Sequence, residues 1–403
     1  MIERVGVVGA GTMGAGIAQL ACGGGFETIV HDPEPEALRA GIERVTEQLR
    51  RGVERGRWSE EQANNAGEGL REAATLQDLG GCGLAIEAAP ERLELKRKLF
   101  ADLERVCGPE AVLATNTSSL SVTAIAAGSE RPDRVVGMHF FNPPPVMKLV
   151  EIVAGEESSQ EALALAAEVA ERMGRIPIRA NDAIGFVANR CVRPFNLEAL
   201  RMLGERIGSH EEIDRVYRLC GGFRMGPFEL MDLIGLDVNF DVARSFYEQS
   251  FGEPRWRPHP IQARMVAAGR LGRKSGRGFY DYSRDPYRSE DPQVEAERPV
   301  VDEPDLEEIA GPLGPLVINR LSAQIANEAA FALGEGVASA ADIDTAMRLG
   351  FNWPIGPLEL GDRLGGARAV GILDELRELH GDGYRAAPLL REAAATGREL
   401  AAG

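Results

Sequence analysis

Val5-Gly6-Val7-Val8-Gly9-Ala10-Gly11-Thr12-Met13-Gly14, running on as AGIAQLACGG to Gly24, is a short apolar strand, a glycine-rich turn and a helix in immediate succession. The spacing GxGxxG in that context gives each glycine its own role. Gly9 makes the tight turn, Gly11 lets a pyrophosphate approach the backbone, and Gly14 lets helix and strand pack closely. The helix N-terminus, with its unpaired N–H groups, then faces the phosphates. The next strand, ETIVHD, ends at Asp32, close to the position where a carboxylate accepts a ribose 2′-hydroxyl and repels a 2′-phosphate. A dinucleotide is implied, NAD in preference to NADP, with Gly9, Gly11, Thr12, Met13, Gly14 and Asp32 as its candidate contacts.

Outward from this turn, apolar runs (GLAIEAA, AVLATNTS, RVVGMHFF, KLVEIV, RIPIRA) alternate with helical patterns, which predicts an α/β Rossmann-type domain over residues 1–182. From about Ala183 the apolar spacing moves to a period near 3.6, and an all-α domain is expected over 183–282. Residues 283–310 are acidic and proline-bearing without a period, and are expected to form a linker. A shift of 130 positions then lays Asn189-Arg190 on Asn319-Arg320, Glu198 on Glu328, Ile213-Asp214 on Ile343-Asp344, Gly226-Pro227 on Gly356-Pro357 and Asp232 on Asp362. So constant an offset means that residues 311–403 are a second copy of the helical domain.

The chain has 403 residues, 44% of them hydrophobic, enough for several cores. Its formal charge of −17 argues against nucleic acid or an anionic membrane as partner. No apolar stretch approaches the roughly 20 residues that span a bilayer, and the start has no secretory leader pattern, so a cytoplasmic location is expected. The cysteines at 22, 82, 107, 191 and 220 are scattered singly, which suggests reduced thiols and no metal site. Only Lys96, Lys98, Lys148 and Lys274 are lysine among 45 basic residues, the other 41 being arginine. A lysine that persists in such a background is a candidate for a site that will not accept the guanidinium fork.

In RVVGMHFFNPPPVMKLVEIV, His139 sits inside an apolar strand and Glu151 inside another, across a proline-rich turn. Antiparallel pairing would bring the two side chains together. An imidazole tuned by a carboxylate suits removal of a hydroxyl proton near neutral pH; a histidine satisfied within a core is the other reading of the same residues.

GAGTMGAGIA, EAAPERLELKRKLF, NTSSLSVT, HFFNPPPVMKLVEIV, GFVANR, GPFELMDLIGLDV and GRKSGRGFYDY together closely resemble the 3-hydroxyacyl-CoA dehydrogenase family, in family order from end to end of the chain. The resemblance implies an NAD-dependent oxidation of (S)-3-hydroxyacyl-CoA thioesters to their 3-oxo forms. His139 would be the base, Glu151 would hold the imidazole, and Ser118 and Asn189 would hydrogen-bond the reacting oxygen. It carries Glu91, Lys96, Asn142 and Lys274 onto positions that touch the nicotinamide half of the cofactor or its ribose, with Ser118 beside them. Asn189 belongs to the helical part, so the resemblance implies a cleft between domains. A short acyl chain is the first expectation and a dicarboxylic adipyl chain the second, the latter needing a basic residue such as Arg190 or Arg193.

For coenzyme A, the family uses the helical excursion after the second strand. Here that segment reads LRRGVERGRW, with Arg50, Arg51, Arg55 and Arg57, and a phosphate site and a solvated helix face remain equal readings. The second helical copy has no nucleotide domain and is expected to be structural, packing on the first as an internal partner; the alternatives are a homodimer and a lone-chain pseudo-dimer. The competing functions are oxidation of a small sugar acid such as L-gulonate, and an inactive NAD-binding relative.

Overall fold

The computed structural model describes residues 2–56, 58–291 and 303–402; Arg57 of the arginine-rich segment and the middle of the 283–310 stretch lie outside them. The chain divides into two compact units, Met1–Phe186 and Val187–Gly403.

The first unit is built on eight strands: β1 (Arg4–Val8), β2 (Glu27–His31), β3 (Leu70–Ala73), β4 (Leu84–Glu87), β5 (Val112–Thr115), β6 (Val135–Phe140), β7 (Leu149–Ala154) and β8 (Ile176–Asn181). Their order is β3-β2-β1-β4-β5-β6-β7-β8. Every neighbouring pair is parallel except β6 and β7. β4, β5 and β6 are buried at every residue, as expected of strands covered by helices on both faces. Because β2 and β4 lie on opposite sides of β1, the chain reverses its winding at the carboxyl end of β1, where open α/β sheets leave a ligand crevice.

The excursion after β2 is the helix Pro35–Glu54, opened by a proline in its first turn, and the helix Glu60–Glu68. The second begins in a reciprocal cap, with the Gln62 amide N–H on Ser59 Oγ at 3.1 Å and the Ser59 amide N–H on Gln62 Oε1 at 2.9 Å.

The second unit is helical and contains both copies. Pro227–Ile234 in the first copy answers to Pro357–Leu364 in the second, each entered from Gly226 or Gly356. A buried aspartate from the preceding helix accepts the first amides of each: Asp214 takes Phe228 and Glu229 at 2.9 and 3.0 Å, and Asp344 takes Leu358 and Glu359 at 2.8 and 3.3 Å. Asp232 and Asp362 likewise each accept two backbone amides. In the acidic stretch after Tyr282, the described residues make specific contacts. Ser289 donates to Glu211, Asp291 pairs with Arg218, and Glu303–Ala310 is a helix.

The two copies are joined by reciprocal buried ion pairs. Arg190 binds Glu328 at 2.8 Å and Glu335 at 2.7 Å; its counterpart Arg320 binds Glu198 and, at 2.9 Å, Glu205, the counterparts of those acids. Trp256 donates to Glu328 at 3.2 Å and Tyr384 to Glu198 at 3.1 Å. A contact in which residue i meets the copy of j, and j the copy of i, is the isologous pattern of a two-fold dimer, here within one chain. Arg255 adds a second guanidinium to Glu328 at 2.7 Å.

Removing one partner of a buried pair leaves an uncompensated charge, at a cost of about 3–5 kcal/mol. Glu328→Gln, which removes the buried counter-charge that Arg190 and Arg255 share and leaves them only the more exposed Glu335 and Glu253, is therefore expected to lower the unfolding free energy by up to about that much in urea titrations followed by tryptophan fluorescence. A change under about 1 kcal/mol, the worth of an exposed pair, would overturn this account of the seam.

Candidate active site

At the carboxyl end of β1, Gly9 adopts φ +100°, and a side-chain carbon there would stand 2.6 Å from the Ala88 carbonyl oxygen. One at Gly14 would stand 1.7 Å from the oxygen of Gly9, so both positions exclude any side chain. Gly11 is the opposite case, with nothing within 4 Å of where its side chain would be. It caps the helix Thr12–Gly23 with no side-chain acceptor on the first amides, and Thr12 beside it is exposed while Met13 is half-buried. Open space over a glycine and uncapped helix amides are what a pyrophosphate needs.

Asp32 is positioned just beyond β2. One carboxylate oxygen accepts the Ala10 amide at 2.8 Å and the other the Glu34 amide at 3.0 Å, which fixes the group and leaves each oxygen a further lone pair. The residues present fit a dinucleotide with an unmodified ribose.

The single antiparallel pairing of the sheet makes the second feature. The register of β6 and β7 sets His139 opposite Glu151, and His139 Nδ1 lies 2.6 Å from Glu151 Oε2. Both residues are buried, Glu151 completely. A carboxylate at Nδ1 fixes the tautomer that carries its proton there, leaving Nε2 with a free lone pair, and it stabilises the imidazolium once a second proton arrives. Phe141 and Phe186 flank the imidazole, with ring centroids 4.6 and 5.7 Å away.

The loop after β5 supplies the third. Asn116 Oδ1 accepts the Phe140 amide at 2.9 Å, tying the end of β5 to the strand that carries His139. Ser118 is exposed; its amide donates to Glu91, while its hydroxyl has no partner among the described residues. Glu91 also accepts the Ser119 amide and the hydroxyls of Thr117 and Ser119. Burial raises the Glu91 pKa, but Lys96 and these donors outweigh it and hold the carboxyl below the ordinary range.

Lys96 is buried, and its ammonium is committed to Glu87 at 2.6 Å, Glu91 at 3.1 Å and the Ala89 carbonyl at 3.4 Å. Three acceptors around one nitrogen match an ammonium and would not match a planar guanidinium. The lysine thus acts on Glu91 and the serine loop. Glu87 and Asn116, both essential to this arrangement, were not singled out from sequence: Glu87 lies unremarked in an apolar run, and Asn116 acts through its amide on a backbone group. Asn142 is exposed after β6.

In the second unit, Asn189 lies in the short helix Ala188–Cys191 and is half-buried, and Lys274 pairs with Asp237 at 2.6 Å. Within the first unit, a cavity of about 420 Å³ is lined by Gln48, Arg51, Arg55, Trp58, Pro145 and Arg175 among others. Arg51 and Arg50 are bridged to Glu47, whereas Arg55 has no acid partner among the described residues.

Comparison with known proteins places the chain among relatives of one family. Residues 4–183 match the model of the 3-hydroxyacyl-CoA dehydrogenase NAD-binding domain, and residues 185–282 and 316–401 each match that of the C-terminal domain. The chain is 38% identical to the 3-hydroxyadipyl-CoA dehydrogenase of Escherichia coli over 98% of both proteins. It is 42% identical to a probable 3-hydroxybutyryl-CoA dehydrogenase of Bacillus subtilis, which spans 70% of this chain and 98% of its own. A crystal structure of a 3-hydroxybutyryl-CoA dehydrogenase from Escherichia coli superposes with a TM-score of 0.91 at 36% identity, covering 98% of each chain.

Proposed function

The chain belongs to the 3-hydroxyacyl-CoA dehydrogenase family, and from that premise we propose that it oxidises the 3-hydroxyl of an (S)-3-hydroxyacyl-CoA to the 3-oxo group, reversibly. The observation that carries the reading is the buried His139–Glu151 pair in the same sheet as the open Gly9–Gly14 turn. NAD, when bound, supplies the acceptor for the hydrogen that leaves the carbon with its electron pair.

His139 Nε2 takes the hydroxyl proton, and the Glu151 carboxylate stabilises the resulting imidazolium. The free hydroxyl of Ser118 donates to the substrate oxygen, and Asn189 joins it in the reading through the motif GFVANR alone. Glu91, held by Lys96, keeps the serine loop in place. Lys274 and Asn142 are assigned to the cofactor on the family motif; the Asp237 pairing of Lys274 gives that assignment no independent support.

We assign the adenosine-phosphate end of coenzyme A to the cavity beside Trp58, where Arg55 offers a guanidinium with no acid partner among the described residues and the indole a flat apolar surface. The second helical copy serves as an internal dimer partner, on the strength of the reciprocal Arg190 and Arg320 pairs. The five cysteines are all free thiols, in keeping with a cytoplasmic protein, and among the described residues no helix is long and apolar enough to cross a membrane.

Purified protein given acetoacetyl-CoA is expected to oxidise NADH, and His139→Gln to lose roughly 10²–10⁴-fold in kcat, the usual worth of a general base. Turnover of L-gulonate with NAD and none of the thioester would replace the substrate class, and inertness to both would restore the inactive-relative reading. In the same assay Arg55→Ala should raise the KM for acetoacetyl-CoA roughly tenfold, as loss of one charge-assisted contact implies, while leaving that for its N-acetylcysteamine analogue unchanged. An equal effect on both would move coenzyme A out of the cavity. Light scattering should give the mass of one chain, and a stable two-chain species cross-linked through residues 183–282 would remove the internal-partner role.

A further inference from the structure

The cavity beside Trp58 draws its arginines from two places, and only one of them is the helical excursion after β2. Arg51 and Arg55 stand at the end of the helix Pro35–Glu54, whereas Arg172 and Arg175 stand at the end of the helix Gln160–Arg172 and in the turn before β8. Among the described residues the lining holds these four arginines and no aspartate or glutamate, in a chain whose formal charge is −17.

The two pairs differ in how their charge is met. Arg51 is bridged to Glu47. Arg172 and Arg175 have no acid partner among the described residues, yet both are held in place. Arg175 donates from Nε to the Met173 carbonyl at 3.3 Å, and from one terminal nitrogen to the Pro144 and Met147 carbonyls at 3.2 and 2.8 Å. Arg172 donates to the Ile2 carbonyl at 2.9 Å, and its charged carbon lies 3.8 Å from the Phe26 ring centre. Neutral carbonyls and a ring fix a guanidinium's direction without cancelling its charge, and they leave it further N–H groups to donate. Burial lowers the Arg175 pKa, a cost that a ligand bringing negative charge would offset.

Two more features of the lining are prepared for a ligand. Gln19 is 8% exposed, and its Oε1, an acceptor, has no hydrogen-bond partner among the described residues. The Trp58 indole rests on two glycines: a side-chain carbon would stand 2.4 Å from it at Gly23 and 3.1 Å from it at Gly52. Any larger residue at Gly23 would push the ring out of its place.

We infer that Arg172 and Arg175 seat the 3′-phosphate of coenzyme A, so that the protein distinguishes an acyl-CoA from the same acyl group on 3′-dephospho-CoA. The inference rests on the coenzyme A placement proposed above and extends it to side chains outside the excursion. Coenzyme A carries phosphate on both sides of its ribose, a diphosphate at the 5′ position and a monoester at the 3′ position. A phosphate monoester bears about −1.5 to −2 charges at pH 7 and offers three acceptor oxygens. It suits the pair of guanidiniums whose charge no acid has met, while the diphosphate, less charged at each phosphorus, falls to Arg51 and Arg55. Gln19 Oε1 then accepts from the ribose 2′-hydroxyl beside the monoester.

The test compares the KM for acetoacetyl-CoA with that for acetoacetyl-3′-dephospho-CoA in wild type, Arg172→Met, Arg175→Gln and Arg55→Ala. Wild type should show a KM roughly ten- to hundredfold lower for the 3′-phosphorylated thioester, as one or two charge-assisted contacts imply. Arg175→Gln should remove most of that ratio. Arg172→Met should cut it several-fold, and this exposed position serves if Arg175→Gln fails to fold. Arg55→Ala should raise both KM values together and keep the ratio, which separates the two phosphate seats. A wild-type ratio near one, or a ratio kept in the folded Arg172 and Arg175 variants, overturns the inference and leaves the dehydrogenase reading intact. If neither thioester is turned over, the dehydrogenase reading falls, and calorimetric titration with 3′-phosphoadenosine 5′-diphosphate against ADP, in saturating NADH, decides the inference separately. Tighter binding of the 3′-phosphorylated nucleotide that Arg172→Met weakens upholds it, and equal affinities overturn it.

Discussion

A carboxylate withdrawn from water must find a cation or hydrogen-bond donors inside the protein, and four of the buried glutamates carry that requirement into the candidate site and the seam between the copies. Glu87, Glu151 and Glu198 are fully buried and Glu328 nearly so. Each is met by a partner that its own element cannot supply: Lys96 from the helix Leu93–Cys107, His139 from the neighbouring strand, Arg320 and Arg190 from the opposite copy. In the first unit this requirement holds the serine loop and orients the imidazole. In the second it fixes the register of the two copies.

Elements that bury a continuous apolar face were legible in the sequence. The runs at β1, β2 and β4 to β7 announced strands because strands covered on both sides carry apolar residues at nearly every position, and the edge strand β8 announced itself by alternation, buried at Ile178 and Ala180. β3, Leu-Arg-Glu-Ala, did not: it is an edge strand with two exposed charged residues, and its place is set by pairing with β2. The helix Glu303–Ala310 was equally silent, since acidic residues and a proline gave no periodic signal to an element that packs with the long helix Leu313–Gly334.

In the candidate site, legibility followed chemistry. Gly9, Gly14, His139 and Glu151 are residue types that few structural roles demand at such spacing. Lys96 stood out as one of four lysines, yet its physical setting, three acceptors around one ammonium, appears only when β4 and the serine loop converge. Arg190 and Arg193 were indistinguishable in sequence because what separates them is a glutamate 138 residues away.

In a dimer of identical chains every substitution at the two-fold seam is made twice, so a side chain that helps one half must be tolerated by the other. Covalent duplication removes that constraint. The second copy has kept its half of the ion pairs, Arg320 and Glu328, while carrying alanine where the first has Arg193 and Asn196. Each half can then change at positions away from the shared ion pairs without imposing the same change on the other, while Arg190, Glu198, Arg320 and Glu328 keep the two in register.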